Sequence, residues 1–490
     1  SVVDNREGEE SGMSILEPVT TRRGFLRTTA AVSGGFVVGG GLLGACNDDD
    51  SSGAKPKSLN MLYATVEANS DAVKAVLGDY RDEFGIRLNM DTIPYDALQQ
   101  KVFSELASGS SNYDVMIVDT PWMPAVVGKI EPLGTYIKDN KLNDRAKVDV
   151  EDFIPKVFYD TAVYQANKSN VHYPGGDEAP SVDAIKGKGF DIYGLPIQAN
   201  ALTMSYRKDL FDDPKEQAAF RSQNGSDLAV PTTWDEFVTV ARFFTRPDQK
   251  LWGTTLMAGV GDWSTDDFKT LLASFGGDGH LVTDDFKIAF DTPEGVQALQ
   301  FYSDLINKEK VTPPGTTSAS WDTVTTTFGG GLTAMGFNYH NMSLKPDVDG
   351  EVSYAVVPKG DAEGPHFGTW MLSIPKSAKN KDWAYRTIAW LTSSDVQSKM
   401  LQDQLHPTRV SVYDKAAQDS SVKDAFGNFY EILGKSLEVG VGRARLTNYN
   451  DVSHAVAVAV NKAATGGSPQ DALSAAGSET EDALKQAGYL

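Results

Sequence analysis

Six histidines, His172, His280, His340, His366, His406 and His454, are the obvious groups for metal or acid–base chemistry, yet none stands in HxH, HExxH or HxxxH spacing. A single cysteine, Cys46, leaves no room for an internal disulfide, a CxxC redox pair or a Cys-rich zinc site. Ser205-x-x-Lys208 and Ser373-x-x-Lys376 match SxxK, but no SDN or KTG accompanies them and no GxSxG elbow is present. Gly434-Lys435-Ser436 has Phe429 where a P-loop needs glycine, and Gly39-x-Gly41-x-x-Gly44 neither follows a strand nor opens a helix. The acidic pairs Asp212-Asp213, Asp266-Asp267 and Asp284-Asp285 could suggest a glycosidase, whose two carboxylates stand about 5–10 Å apart across a sugar. Adjacent acids in surface turns are ordinarily solvated instead. The chemistry legible in the chain is therefore recognition, and no catalytic constellation or cofactor motif is expected.

The elements that must position such groups belong to an ordinary globular chain. Of 490 residues 41% are apolar and 23% charged, enough for two to four domains at about 100 to 200 residues each. Acids outnumber bases 66 to 45, a formal charge of −21, which is the wrong sign for nucleic acid as a partner. Ser58 to Thr65 alternates like a strand, and Ser70 should cap a helix whose Val73, Val76, Leu77, Tyr80 and Phe84 follow the 3.6 period up to Gly85. Ile86 to Thr92 predicts a second strand, Leu98 to Leu106 a second helix and Tyr113 to Val118 a third, almost wholly apolar strand. This βαβαβ order predicts a doubly wound parallel sheet, with ligands beyond the carboxyl ends of its strands: Thr65 to Asn69, Pro94-Tyr95 and Asp119 to Trp122. Residues 140–190 read as an elaborated connection, and Ile192 to Tyr206 as two strand pieces crossing into a second unit. There, Thr233-x-x-Glu236 is a capping box and Thr292-Pro293 opens another helix.

Before the folded body, Arg22 and Arg23 precede a glycine-diluted apolar stretch, Thr28 to Leu43, too short to span a bilayer core of about 30 Å. It is similar to a twin-arginine export signal. Leu43-Gly44-Ala45-Cys46 resembles a lipoprotein lipobox, which makes Cys46 the expected lipidated N-terminus of a protein held at the outer face of the cell membrane. The polar, small residues after it predict a flexible tether.

From residue 58 onward a chain of patterns follows in order: YDVMIVDTPWMPAVVGKIEPL (113–133), YGLPIQANALTMSYRKDLF (193–211), PTTWDEF (231–237), DTPEGVQALQFYSDLI (291–306), FGGGLTAMGFN (328–338), GTWMLSIPKSAKNKDWAYRTIAWLTS (368–393) and HPTRVSVYD (406–414). In that order they resemble the extracellular solute-binding proteins of ABC importers, within the carbohydrate-binding cluster that includes maltose-binding protein. The resemblance implies an α/β, periplasmic-binding-protein-like fold: two doubly wound lobes joined by several hinge crossings, with the ligand cleft between them. It divides the chain into a signal (1–45), a tether (46–57), one lobe (58–199 with 369–410) and another (200–368 with 411–490). The implied protein is a monomer without cofactor that captures a sugar by hinge closure and passes it to a permease. A secreted carbohydrate-active hydrolase, or the same fold holding a polyamine or other solute, are the alternatives.

Sugars offer alternating hydroxyls and apolar ring faces, so their site wants flat aromatics with polar groups between. Trp383 and Trp390 share a helical apolar face, and Trp234 begins a capped helix, which makes all three packing residues. Trp122, Trp252, Trp263, Trp321 and Trp370 fall in loops or at strand ends, and the resemblance favours Trp122, Trp263 and Trp370. It further implies Asp119 as a hydroxyl acceptor, Asn200 where maltose-binding protein has a glutamate, and Asn338 at the end of the AM-containing strand. Arg409 and Arg443 or Arg445 are the expected donors from later segments, and Glu67 and Tyr95 stand at the ends of the first two strands. Asn338-Tyr339-His340-Asn341 replaces a tryptophan of maltose-binding protein, which argues against maltose itself.

Overall fold

The strand expected from Ser58 forms as β1 (Ser58–Ala64), paired in parallel with β2 (Arg87–Ile93) and β3 (Val115–Asp119). The computed structural model describes residues 55–65, 67–144, 147–165, 171–172 and 176–490, the side chains of Glu67, Ala68 and Asp96 apart. Arg22, Arg23 and Cys46 lie outside the described residues.

Every residue of β3 is buried, as a strand covered on both faces requires. Between β1 and β2, the helix expected from Ser70 is two helices, Glu67–Ala75 and Leu77–Phe84, broken at Val76. The second ends where Gly85 takes up φ 63°, a left-handed conformation that costs glycine nothing. A short antiparallel pair joins β4 (Val163–Tyr164), within the expected connection, to β5 (Asp191–Ile192), just past its end. Then β6 (Leu195–Ala201) runs through Leu202 alone into β7 (Thr203–Arg207). The antiparallel strands β8 (Met335–Asn338) and β9 (Val352–Ala355) flank β7, and β10 (Phe367–Ser373) returns to the first sheet.

The first sheet therefore has the order β2-β1-β3-β10-β6. It is not purely parallel, because β10 runs antiparallel to both β3 and β6. No βαβ crossover constrains β10, which arrives from the other lobe. The smaller sheet has the order β8-β7-β9, extended by a parallel bridge between Trp252 and Thr333.

Burial sorts the body into two main cores. One gathers β1, β2, β3 and β10 with the helix Lys381–Leu391, the other β7 and β8 with the helices Trp234–Phe244, Asp262–Ser274, Pro293–Asn307 and Tyr449–Ala464. The capping box of Trp234–Phe244 forms as expected, Thr233 and Glu236 each accepting from the other's backbone N–H. A third, smaller core holds Val412, Val422, Phe429 and Leu433 with Ala199 and Ala201 of β6 and Tyr354 of β9. The helices between 410 and 439, expected wholly in the second lobe, thus pack at the junction.

Three chain segments cross that junction side by side. Leu202 donates to the His366 carbonyl at 2.9 Å, Phe367 to Val441 at 3.1 Å, and Val441 to Pro365 at 2.9 Å. Among the described residues no helix is long and apolar enough to cross a membrane.

Candidate functional site

A cavity of about 490 Å³ opens between the two main cores beside these crossings. The first lobe supplies Thr65 and Tyr95, just past β1 and β2, and Trp370 from the middle of β10. It also supplies Asn200 and Gly368, which were expected in the second lobe but belong to β6 and β10 of the first sheet. The second lobe brings Asp262, Trp263 and Asp266 from the start of the helix Asp262–Ser274, and Ser320, Trp321 and Asp322 from the start of Trp321–Gly329. Asn338, Tyr339 and His340 come from the end of β8, and His366 and Arg443 from the crossings themselves.

Arg443 ties the two sides together. Its Nη2 donates to Asp119 at the end of β3, while its Nη1 lies 3.4 Å from Asp262 Oδ2 and 3.5 Å from the Tyr95 hydroxyl. Tyr95 in turn donates to Asp119 Oδ2 at 3.1 Å, and the other oxygen, Oδ1, accepts from the Thr120 N–H at 2.9 Å. Burial works against the Arg443 cation, but Asp119, Tyr95 and Asp262 together hold its pKa above the ordinary guanidinium value. Burial also raises the pKa of Asp119, against the pull of Arg443. Gly368 makes room for the guanidinium, since a Cβ there would stand 3.3 Å from Nη2.

Aromatic rings line both sides. Tyr95 and Trp370 meet edge-on at 5.7 Å, and Trp263 and Trp321 at 5.1 Å. Trp263 is fixed by its Nε1 bond to the Gly259 carbonyl, 2.9 Å, whereas Trp321 Nε1 is buried without a partner. Asn200 accepts from His406 Nδ1 at 2.6 Å and from Gln198 at 3.3 Å. Asn338 is wholly buried: its Nδ2 donates to Thr325 Oγ1 at 2.8 Å, and its Oδ1 accepts from the Tyr339 N–H at 2.7 Å.

Asp262 and Asp322 face one arginine that is already shared between two carboxylates, so the charge balance of the wall is acidic. Burial, reinforced by the Asp262 charge, raises the Asp266 pKa well above the carboxylate range. Burial lowers that of His366 far below the usual imidazole value, with Lys269 and Arg443 adding to it. Lys269 itself, buried and donating to the Gly442 carbonyl at 2.6 Å, is lowered to about 8 by that burial.

Of the residues singled out in the sequence, Tyr95, Asn200, Trp263, Asn338, Trp370 and Arg443 come together around the cavity. Asp119 stands immediately beneath it, on Arg443. Trp122 lies one layer deeper, 2% exposed, stacked on Tyr95 at 6.2 Å and edge-on to Trp370 at 5.5 Å. Arg409 is placed elsewhere: it donates to the carbonyls of Thr392 and Asp149 and lies 3.9 Å over the Phe153 ring. Arg445 likewise spends its Nη1 on the Val163 carbonyl, 2.6 Å. Glu67 begins the helix Glu67–Ala75, and its side chain is not described.

Asp262, Asp266, Trp321 and His366 were not singled out as ligand contacts. The pair Asp266-Asp267 reads as a solvated turn, but both lie within a helix and are 3% and 5% exposed. The buried pattern of that helix, with apolar residues on both sides, was the available signal.

The profile of the bacterial extracellular solute-binding protein family matches residues 64–398. Among curated proteins, a binding protein of Brucella abortus is 26% identical over 327 residues, 65% of this chain and 68% of that protein. The mannitol-binding protein of Pseudomonas aeruginosa is 25% identical over 392 residues, covering 72% and 86%. Among solved structures, maltose-bound MalE3 of T. maritima superposes with a TM-score of 0.68 at 24% identity, over 87% of this chain and 99% of that one. A solute-binding protein of Agrobacterium vitis with bound D-mannitol gives 0.65 at 22% identity, over 88% and 99%. These superpositions establish the periplasmic-binding-protein-like fold.

Proposed function

The chain belongs to the bacterial extracellular solute-binding proteins, and from that premise we propose that it captures an uncharged carbohydrate or polyol between its lobes and delivers it to an ABC importer permease. The observation that carries this reading is the composition of the cavity: Tyr95 and Trp370 on one side, Trp263 and Trp321 on the other, with hydrogen-bonding groups set between them. Rings suit the apolar faces of a sugar, and Asn, Asp and Arg suit its hydroxyls. The acidic wall disfavours sugar acids and sugar phosphates. A ligand that touches both lobes stabilises the closed arrangement by its differential affinity, and rotation at the three crossings is the motion this requires. The protein acts as a monomer, with Cys46 carrying the lipid that keeps it at the membrane after export through the Arg22-Arg23 signal.

The test is a thermal-shift screen of the full chain against hexoses, maltose, D-mannitol, spermidine and amino acids, with calorimetry on each compound that stabilises it. A sugar or polyol that raises the melting temperature and is recovered intact is the expected result. Cleavage of an oligosaccharide would favour a hydrolase, and a response to spermidine alone would overturn the ligand class.

A further inference from the structure

Four buried polar atoms without hydrogen-bond partners belong to residues lining the cavity: Asp266 Oδ1, His366 Nε2, Trp321 Nε1 and Arg443 Nε. Leaving such a group unmatched is costly, so a cluster at one wall calls for a reason. Two of the four form a pair. Asp266 Oδ1 and His366 Nε2 are 3.2 Å apart, out of hydrogen-bond alignment, on side chains 4% and 2% exposed. On the opposite edge of the imidazole, Nδ1 lies 3.1 Å from the Tyr339 hydroxyl. With that hydroxyl donating, neutral His366 carries its proton on Nε2, which sets a donor beside Asp266 Oδ1, a carboxyl oxygen that accepts, at the same wall.

Resting on the carbohydrate reading above, we propose that Asp266 and His366 are specificity residues that together take one ligand hydroxyl, which donates to Asp266 Oδ1 and accepts from His366 Nε2–H. A hydroxyl is both donor and acceptor and satisfies the pair, while an ammonium group would leave the imidazole N–H unmet. Helix placement supports the assignment, because Asp262 and Asp266 stand one turn apart on the face of Asp262–Ser274 that meets the cavity, and Asp262 is already engaged by Arg443, Tyr449 and Ser453.

Calorimetry on the full chain tests this with D-mannitol, D-glucose and maltose as probes. Asp266→Asn and His366→Gln should each weaken the best probe about 10- to 100-fold, as expected for a hydrogen bond to a charged or buried group. In the wild type, one single-deoxy form of that probe should lose a similar factor, and it should lose no more in Asp266→Asn. The deoxy series needs no substitution in the protein, so it stands even where a variant folds poorly. Folded variants with wild-type affinity, or a deoxy series in which every loss persists in Asp266→Asn, would overturn the assignment and leave the carbohydrate reading intact. Wild-type protein that binds none of the three probes would overturn that reading and the assignment with it.

Discussion

Arg409 and Arg443 are both buried arginines paired with aspartate, and they differ in whose groups they hold. Arg409 is 2% exposed, and its partners Thr392, Asp149, Asp152 and Phe153 are fixed on one side of the junction, mostly through backbone carbonyls. Arg443 reaches Asp119 and Tyr95 of one lobe and Asp262 of the other, at the edge of a cavity, with its Nε unmatched. The first is a fastener within a folded part. The second joins the two lobes at the cavity between them. Burial and an ion pair do not by themselves distinguish structure from recognition; whether the partners come from one core or from two does.

Removing the fastener should have the largest effect on stability. Arg409→Ala strands Asp152 and several carbonyls, and urea denaturation should show a loss of about 3–5 kcal/mol, with probe affinity kept in the fraction that folds. Arg443→Ala should reverse the pattern, with a smaller stability loss, because burial already inclines Asp119 to hold a proton, and sugar binding lost in calorimetry. Equal stability losses would break the comparison.

A gentler version contrasts the two tryptophans that meet edge-on, Trp122 and Trp370. Trp122→Ala should cost about 3–5 kcal/mol of stability as a core truncation. Trp370→Ala should instead weaken a bound sugar by about 1 kcal/mol or more, the scale of an aromatic contact, with the fold retained. Fluorescence-detected melting and titration of both variants would separate the roles.

A pH profile sharpens the contrast between neighbouring aspartates. Asp267 accepts from Tyr302 at 2.9 Å and Met257 at 3.2 Å in the second core, and burial raises its pKa to about 7. The native state thus keeps a proton that the unfolded chain gives up above about pH 4, so this group makes stability fall as pH rises from about 4 to about 7, by at most about 1.4 kcal/mol per pH unit. Asp267→Asn should flatten that part of the stability profile. An unchanged slope would show that Asp267 does not titrate there.

Local elements were legible because local rules made them. The alternation of Ser58 to Thr65, the capping box at Thr233 and the stop at Gly85 depend on residues a few positions apart. The direction of β10 was not legible, because it is set by a return across the junction from residues more than a hundred positions beyond its neighbour β6. The same limit explains the site. Tyr95 was found through its position at the end of β2, and Trp263 and Trp370 through the family resemblance, although Trp370 lies in the middle of β10 and not in a loop or at a strand end. Asp266, by contrast, was read as solvated because adjacent acids normally are. Only the packing of Asp262–Ser274 against the crossings buries it. Arg409 and Arg443 looked alike for the same reason, since each sits in a polar loop whose surroundings come from distant segments.

The position of β10 has a consequence for the order in which the molecule can be built. It fills the gap between β3 and β6, yet its residues, Phe367–Ser373, come about three-quarters of the way along the chain. As the chain leaves the ribosome, β3 and β6 emerge with no partner between them, and each must wait for more than 160 further residues after β6 is complete. Until then both carry open edges of the kind that pair wrongly. The first lobe, though it begins the sequence, therefore cannot finish folding until about three-quarters of the chain has been made. The second closes its sheet with β9 at Ala355 while the first still awaits its keystone strand, but its core is completed only by the helix Tyr449–Ala464, which follows β10 in the chain.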